Sequence, residues 1–426
     1  MAGTMAAPVG SAEQSTPDQP QGQGRVESLD LIRGIAVMGI VIANATSLGA
    51  LTLLYVWPTA EGPIGLGETI VWLLQYMFID GKMRGVFALL FGIGMAIFIE
   101  RARAKGGRAY ILQARRLFWL FLFGVLHFFL LFTGDVLQGY AVAGLVALLF
   151  LWMPPKWLVG IAATLFVAYT YFPLKDLNDY RNFEASAMAA PPGAEVREEY
   201  EAEIAEGFEK AHKGEAALTQ PLYFELVSYR IGRGYHLFDH PEYWLPEYGL
   251  LMLMGVGLYR MGLFAGAIDR RKLLWFGGAG IVLSAIAAIP FGLWALREDF
   301  PPALSDFVFY GPSLAKNLPM ILGYVAVLAA LAPSILATGL GERIAAAGRM
   351  AFSNYIGTSL VGAIIFQGWG FGLFNHFDRL ERMGFVLFIW VLMLLWSKPW
   401  LERFRFGPLE WAWRCLTYWK LFPIRR

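Results

Sequence analysis

Cysteine and charge are both scarce in this chain of 426 residues. The single cysteine, Cys415, excludes an intramolecular disulfide framework and gives no basis for a cysteine metal site. Charged residues make up only 16% of the chain, whereas soluble proteins carry about 25%. Residues 1–24 lack the basic start and apolar middle of a signal peptide. They are small, polar and rich in Pro, Gly and Gln, which predicts a disordered tail.

Apolar residues are abundant instead, at 57% of the chain, and they recur in stretches of near-spanning length. A bilayer core of about 30 Å needs roughly 20 helical residues, so the predicted fold is an all-α, polytopic transmembrane bundle with ten or eleven spans. The second stretch is short and could be re-entrant or interfacial. The predicted spans are 30–54, 66–79, 85–99, 117–132, 136–153, 157–172, 245–258, 273–296, 314–331, 351–367 and 385–396.

Loop charge predicts the orientation of these spans. The loop from Arg101 to Arg116 holds six basic residues and no acid, and the tail from Lys398 holds seven basic residues and two acids. The positive-inside rule makes both regions cytoplasmic. The predicted organisation is a transmembrane half at 25–172, an extracytoplasmic acidic helical loop at 173–244, a second transmembrane half at 245–397 and a basic, aromatic tail at 398–426. The preferred interpretation of the acidic loop is a solvated helical hairpin. The alternative is a lid over a site on the outer face.

Two ionisable residues stand in the nearly apolar stretch "LFGVLHFFLLFTGDVLQGYAVAGL". His127 is the candidate general base, because imidazole titrates near working pH, and a neutral core histidine is the alternative. Asp135 suits an N-cap for the next helix, with Gln138 three residues on. A continuous helix would hold His127 and Asp135 about 12 Å apart and some 80° out of phase. They can therefore share a site only if the chain turns at Thr133-Gly134.

Four further polar residues at the membrane segments are candidates for substrate binding. Arg33 and Asn44 share one face of the first span, eleven residues apart, and a polar stripe of this kind faces protein or a cavity. Arg33 could bind a phosphate or pair with Asp30. Lys82 and Arg84 precede the third span and suit either phosphates or an interfacial charge belt.

The segment "YRIGRGYHLFDHPEYW" supplies the last two candidates for substrate binding, Arg230 and Arg233. Its two histidines, His236 and His240, have helical spacing but no third ligand, so no metal site is predicted. No Walker, Rossmann or Gly-x-Ser-x-Gly pattern is present. Because the basic residues sit beside the membrane spans, nucleic-acid binding has no support.

Several long segments resemble the YeiB-like family of bacterial inner-membrane proteins, a domain of unknown function. They include "SLDLIRGIAVMGIVIAN", "RRLFWLFLFGVLHFFLLFTGDVLQGYAVAGLV", "GRMAFSNYIGTSL" and the ending "FRFGPLEWAWRCLTYWKLFPIRR". The resemblance covers nearly the whole chain from Arg25. It implies a multi-pass protein of the bacterial cytoplasmic membrane, grouped with acyltransferase-like membrane proteins.

That grouping implies transfer of an acyl group from a donor such as acyl-CoA to an extracytoplasmic or lipid-linked acceptor. No tightly bound cofactor is expected. The expected partners are membrane lipids, a small-molecule or glycan acceptor, and a second copy of the chain in a homodimer. The first span departs from related sugar O-acylases, which end it with a histidine where this chain has Asn44. If the chemistry occurs here, His127 is the better base, with Asp135 orienting it or the acceptor.

The sequence leaves open whether the protein is an enzyme. The alternative is a transporter, or a membrane protein that binds a lipid or small molecule without covalent chemistry, since such proteins also bury polar residues in broken spans. A cavity open to lipid and to the outside, with no passage to the cytoplasmic face, would favour that alternative.

Overall fold

A computed structural model describes residues 21–234, 238, 241–265, 268–310 and 313–426 of the chain. Within these ranges the protein is all helical, apart from one isolated bridge between Phe404 and Arg425. The first half contains α1 (Gln21–Gly49), α2 (Leu53–Val56), α3 (Leu66–Phe78), α4 (Lys82–Ala104), α5 (Ala109–Leu130), α6 (Leu137–Leu148) and α7 (Pro155–Ala168). Helix α1 begins within the predicted N-terminal tail, of which residues 1–20 lie outside the described residues.

The rest of the chain is helical as well. The predicted outer loop contains α8 (Tyr171–Ala189), α9 (Glu195–Leu218) and α10 (Tyr223–Gly232). The second half contains α11 (Pro241–Arg260), α12 (Arg270–Arg297), α13 (Pro302–Tyr310), α14 (Ser313–Leu336), α15 (Gly339–Arg349), α16 (Ala351–Phe366), α17 (Arg382–Arg403) and α18 (Pro408–Tyr418).

Seven stretches of the described chain are long and apolar enough to cross a membrane. The prediction of ten or eleven spans is therefore not confirmed. Part of the difference comes from short apolar helices, since α6 has 12 residues and α16 has 16, fewer than a membrane crossing normally needs. The seven stretches are Glu27–Gly49, Leu66–Ala104, Ala109–Leu130, Pro155–Ala189, Arg270–Arg297, Lys316–Leu336 and Arg382–Arg403.

Helix α3 does not cross the bundle by itself. The Arg379 backbone N–H donates to Glu68 at 3.1 Å near the start of α3, and its guanidinium donates to Gln75 at 3.3 Å near the end. Asp80, just after α3, accepts a hydrogen bond from Tyr55, just before it. One residue thus contacts both halves of α3, and α3 and α4 together form a single candidate span, Leu66–Ala104.

Glycines let α4 and α11 approach each other closely. A Cβ placed on Gly92 would lie 2.1 Å from the Met252 carbonyl oxygen, and one on Gly255 would lie 2.1 Å from that of Leu89. These small-residue faces pack two helices of one chain against each other, as glycine faces do in membrane bundles.

Candidate active site

His127 and Asp135 form a direct contact deep in the bundle. Helix α5 ends at Leu130 and α6 begins at Leu137, so the intervening residues reverse the chain. The imidazole Nδ1 lies 2.7 Å from Asp135 Oδ2, with the side chains only 1% and 0% exposed. The turn required by the sequence argument is present, and it replaces the 12 Å separation of a continuous helix with a hydrogen bond.

Asp135 uses its second carboxylate oxygen to start α6. Its Oδ1 accepts the backbone N–H of Gln138 at 3.0 Å, and the Gln138 side-chain amide donates to the Gly124 carbonyl at 3.0 Å. The two helices approach so closely here that a Cβ on Gly124 would lie 2.8 Å from Asp135 Oδ1. The Asp135 carboxylate therefore caps the helix with one oxygen and contacts the histidine with the other.

The second imidazole nitrogen of His127 is buried. Its Nε2 has no hydrogen-bond partner among the described residues. A carboxylate at Nδ1 favours the tautomer with the proton on Nδ1, which leaves the Nε2 lone pair available as a base. The Tyr355 ring lies against the imidazole, with 5.1 Å between ring centroids.

Side chains from distant segments bind the backbone at the end of α5. The Arg230 guanidinium donates to the carbonyls of Phe129 at 3.2 Å and Leu131 at 3.1 Å. The Tyr223 hydroxyl donates to the Leu130 carbonyl at 2.9 Å, and the Gln367 amide donates to the Leu131 carbonyl at 3.3 Å. We call these three side chains the carbonyl clamp. The clamp satisfies backbone groups that a helix end leaves unpaired, just where the chain turns from His127 to Asp135.

Arg230 is therefore occupied by backbone. Its side chain is buried, at 4% exposure, and burial lowers its pKa to about 10, so it remains charged at neutral pH. These contacts give no support to the predicted substrate-binding role of Arg230. Arg233, on the next turn, is exposed.

A cavity of about 180 Å³, which we call the central cavity, is lined by residues that neighbour the His127–Asp135 pair, although neither residue of the pair is part of its lining. At one end it is lined by Val136, which follows Asp135, and by Tyr355, whose ring contacts His127. The Tyr355 hydroxyl accepts the Val136 N–H at 3.3 Å and so joins α16 to the turn. At the other end the cavity is lined by Arg33, Arg116, Arg349, Glu410 and Trp413.

The basic end of the central cavity bears on orientation. Arg33 near the start of α1 and Arg116 near the start of α5 line the same cavity, so both helices start at one end of the bundle. If the loop before α5 is cytoplasmic, as the positive-inside rule predicts, α1 would start on the same side.

The other predicted binding residues are dispersed. Arg33 lines the central cavity and also pairs with Asp30 at 2.8 Å. Asn44 is half-buried on the same helix and is not part of the cavity lining. Arg84 pairs with Glu247 at 3.0 Å, outside the cavity lining.

Lys82 belongs to a second buried polar cluster. Its ammonium group donates to the Tyr76 carbonyl, and Lys316 donates to the Tyr76 hydroxyl at 2.7 Å. Asp80 and Arg379 are buried in the same region and are joined through Gln75. These contacts bind helices to one another, and they do not include His127.

Sequence reasoning missed several residues of the central cavity. Arg116 was counted only among the loop charges, while Tyr355 and Glu410 stood in segments that carried the family resemblance. Glu410 accepts the N–H groups of Phe352 at 2.8 Å and Ser353 at 3.0 Å, so the C-terminal helix α18 caps the start of α16. His236 and His240, for which no metal site is predicted, lie outside the described residues. No group of three or more potential ligands from His, Cys, Asp and Glu occurs in the described ranges.

Fold and composition define an all-helical protein with several membrane-spanning helices, and comparison with known proteins identifies its relatives. Residues 258–420 match the model of the family described as "Protein of unknown function (DUF418)". The chain is 28% identical to the "Uncharacterized protein YeiB" of Escherichia coli (strain K12), over 92% of this chain and 95% of that protein. It is 27% identical to the "Uncharacterized protein YxaH" of Bacillus subtilis (strain 168), over 94% and 96%.

These matches confirm the resemblance to the YeiB-like family, and the relatives named are bacterial. No solved structure matches the chain significantly. The names of the relatives assign no activity, so the function has to be argued from the site.

Proposed function

We propose that the protein is a bacterial inner-membrane acyltransferase in which His127 is the general base. The observation that carries the proposal is the buried His127–Asp135 pair, whose 2.7 Å contact leaves Nε2 without a partner among the described residues, while Tyr355, which contacts the imidazole, lines the central cavity. Buried ionisable residues in a membrane protein are costly and are retained chiefly for function. Asp135 is the positioning residue, since it holds the imidazole in one tautomer and orientation.

The proposed step transfers an acyl group from a thioester such as acyl-CoA to a hydroxyl or amine. His127 Nε2 removes the proton of the acceptor as its oxygen or nitrogen attacks the thioester carbonyl. The carbon–sulfur bond then breaks, and the thiolate takes the proton from the imidazolium, giving the acylated acceptor and a free thiol. Asp135 stabilises the transient imidazolium without itself leaving its carboxylate form.

The central cavity supports an approach of the donor from the cytoplasmic side. Its arginine-lined end lies at the starts of α1 and α5, and its other end lies at Tyr355, against the imidazole. Lipids or an extracytoplasmic glycan remain the acceptors that the family resemblance suggests. A cavity closed to the cytoplasmic face would favour binding without chemistry, whereas the central cavity is lined by Arg33, Arg116 and Arg349 on the side that the positive-inside rule predicts to be cytoplasmic.

One observation favours the alternative of a transporter or small-molecule-binding protein. Helices α3 and α4 are interrupted at Gly81, with φ of 74°, beside the buried cluster of Asp80, Lys82 and Lys316. Broken helices next to buried charges are also found in transporters. On that reading the protein would carry no acyl transfer, and the assay below separates the two.

The test is acyl transfer by the purified protein in liposomes prepared from bacterial lipid extract. The donor is acetyl-CoA or butyryl-CoA carrying a radiolabel in the acyl group, and the readout is label in the lipid or glycan fraction. We expect His127→Ala to lower the rate at least 100-fold, because general base catalysis contributes about 10²–10⁴. His212→Ala is the matched control, since His212 lies exposed on α9. Equal transfer by His127→Ala and the wild type would exclude His127 as the base.

A further inference from the structure

Arg116 is a guanidinium within the bundle that lacks an acidic partner. It lies over the Trp413 ring, 4.1 Å from the centroid, and over the Phe98 ring at 5.0 Å. Its guanidinium makes no ion pair with a carboxylate in the described part of the chain, and Arg33 and Arg414 lie near enough to repel its charge. Arg116 is half-buried, and a guanidinium that is partly removed from water is stabilised by an anionic partner, so this arrangement suits an anionic ligand.

The nearby carboxylates are already engaged. Asp30 accepts the Arg33 guanidinium at 2.8 Å. Glu410 lines the central cavity, but its oxygens accept the N–H groups of Phe352 and Ser353 and the Ser353 hydroxyl. Arg349 is exposed at the same end of the cavity. The basic end of the central cavity therefore holds more positive than negative charge.

The interior of the central cavity is apolar. Phe87, Leu90, Phe91, Met95 and Leu120 lie between its basic end and Tyr355. A volume of about 180 Å³ exceeds the roughly 150 Å³ of an apolar cavity that takes up benzene, so the space suits a chain of a few carbon atoms.

Helix α5 connects the two ends. Arg116 and His127 are eleven residues apart, which is about 16 Å along the axis and only about 20° in rotation. The basic end of the central cavity and the imidazole thus lie on one face of α5. A molecule bound at Arg116 could extend its chain towards His127 within the protein.

We infer that Arg116 and Arg349 bind the phosphate of an amphiphile whose chain extends from this phosphate into the central cavity. Guanidinium groups form strong, often bidentate hydrogen bonds with phosphate, which fits the basic end of this cavity. The phosphate could belong to a soluble acyl donor or to a lipid headgroup, and the test separates these sources. This inference rests on the proposed function only where it concerns the later transfer of the acyl group. Binding of the phosphate can be measured without any acyl transfer.

The experiment measures binding to the purified full-length chain by isothermal titration calorimetry. Butyryl-CoA is compared with butyryl-pantetheine, which has the same acyl chain and no phosphate, in nanodiscs of phosphatidylcholine. We expect butyryl-CoA to bind and butyryl-pantetheine to bind at least tenfold more weakly. Arg116→Gln and Arg349→Gln should each weaken butyryl-CoA binding about tenfold or more.

Arg115→Gln is the matched control, because Arg115 precedes Arg116 on α5 but lies over Trp419 and outside the cavity lining. It should leave the dissociation constant within about twofold of the wild type. A second arm uses native mass spectrometry after extraction from membranes containing phosphatidylglycerol. One outcome of this arm is that the wild type retains phosphatidylglycerol, that the Arg116→Gln variant loses it, and that neither protein binds butyryl-CoA. That result would support the phosphate site and identify a lipid headgroup as the source of the phosphate.

Measurable and equal affinity for butyryl-CoA and butyryl-pantetheine would overturn the inference. It would also be overturned if Arg116→Gln left both butyryl-CoA binding and phosphatidylglycerol retention unchanged. Failure of the proposed function has a different signature. In that case binding would still depend on phosphate and on Arg116, while His127→Ala would have no effect on acyl transfer.

Discussion

Asp135→Asn separates the two contacts of one carboxylate. The amide oxygen can still accept the Gln138 N–H, which Asp135 Oδ1 accepts at 3.0 Å. The amide nitrogen would then face His127 Nδ1, where the carboxylate now stands at 2.7 Å. Since an amide N–H needs an acceptor, the imidazole would move its proton to Nε2 and lose the base.

The expected cost falls on the rate. The same substitution in Ser-His-Asp enzymes lowers kcat about 10⁴-fold through the wrong tautomer, and general base catalysis supplies about 10²–10⁴. We therefore expect acyl transfer by Asp135→Asn to fall 10²- to 10⁴-fold. The free energy of unfolding should change by about 1 kcal/mol or less, because the cap bond is kept.

Asp135→Ala is the matched comparison, because it removes both contacts. It should match Asp135→Asn in rate and lose about a further 1 kcal/mol of stability. The assays are labelled acyl transfer in liposomes and thermal unfolding in detergent. Wild-type transfer by Asp135→Asn would refute the role given to the Asp135–His127 contact. Equal destabilisation by both variants would refute the separation of cap from positioning.

Three further predictions concern the surroundings of the pair. Gly124→Ala should lower Tm by several degrees and reduce transfer, because its Cβ would meet Asp135 Oδ1 at 2.8 Å; a thermal shift assay checks this. Arg230→Gln should cost about 1–3 kcal/mol by leaving buried carbonyls at the end of α5 unpaired, and hydrogen exchange there should rise, whereas exposed Arg405→Gln should change neither. Burial raises the pKa of Glu410 against opposing hydrogen bonds, so the folded state binds this proton more tightly than the unfolded state does. Stability from this group should rise as pH falls, and thermal unfolding should show a weaker rise in Glu410→Gln.

The all-helical, membrane-spanning class was predictable from the sequence, because an apolar stretch of about 20 residues has the length that a helix needs to cross a bilayer. The number of spans was not, since residues 66–79 have the composition of a span. Their packing depends on contacts with Tyr55 and Arg379, which lie outside the segment, and Arg379 is 304 residues from its partner Gln75. Hydropathy is a local property and contains no information on such contacts.

The candidate site shows the same division. His127 stood out because a histidine in an apolar stretch is unusual, and the Asp135 cap was visible from its spacing to Gln138. Helical periodicity alone separates His127 from Asp135, and the turn that joins them is stabilised by Tyr223, Arg230 and Gln367, over ninety residues away. Arg116 was visible only as a loop charge, because nothing local to "ARRLF" indicates which helices surround it.

Cryo-electron microscopy with a non-hydrolysable butyryl-CoA analogue, its thioester sulfur replaced by methylene, would test the central claim most directly. The account predicts phosphate density within hydrogen-bond distance of Arg116 and acyl density in the central cavity, ending at Tyr355 beside His127. Density for the analogue elsewhere, with the cavity empty under saturating ligand, would contradict it.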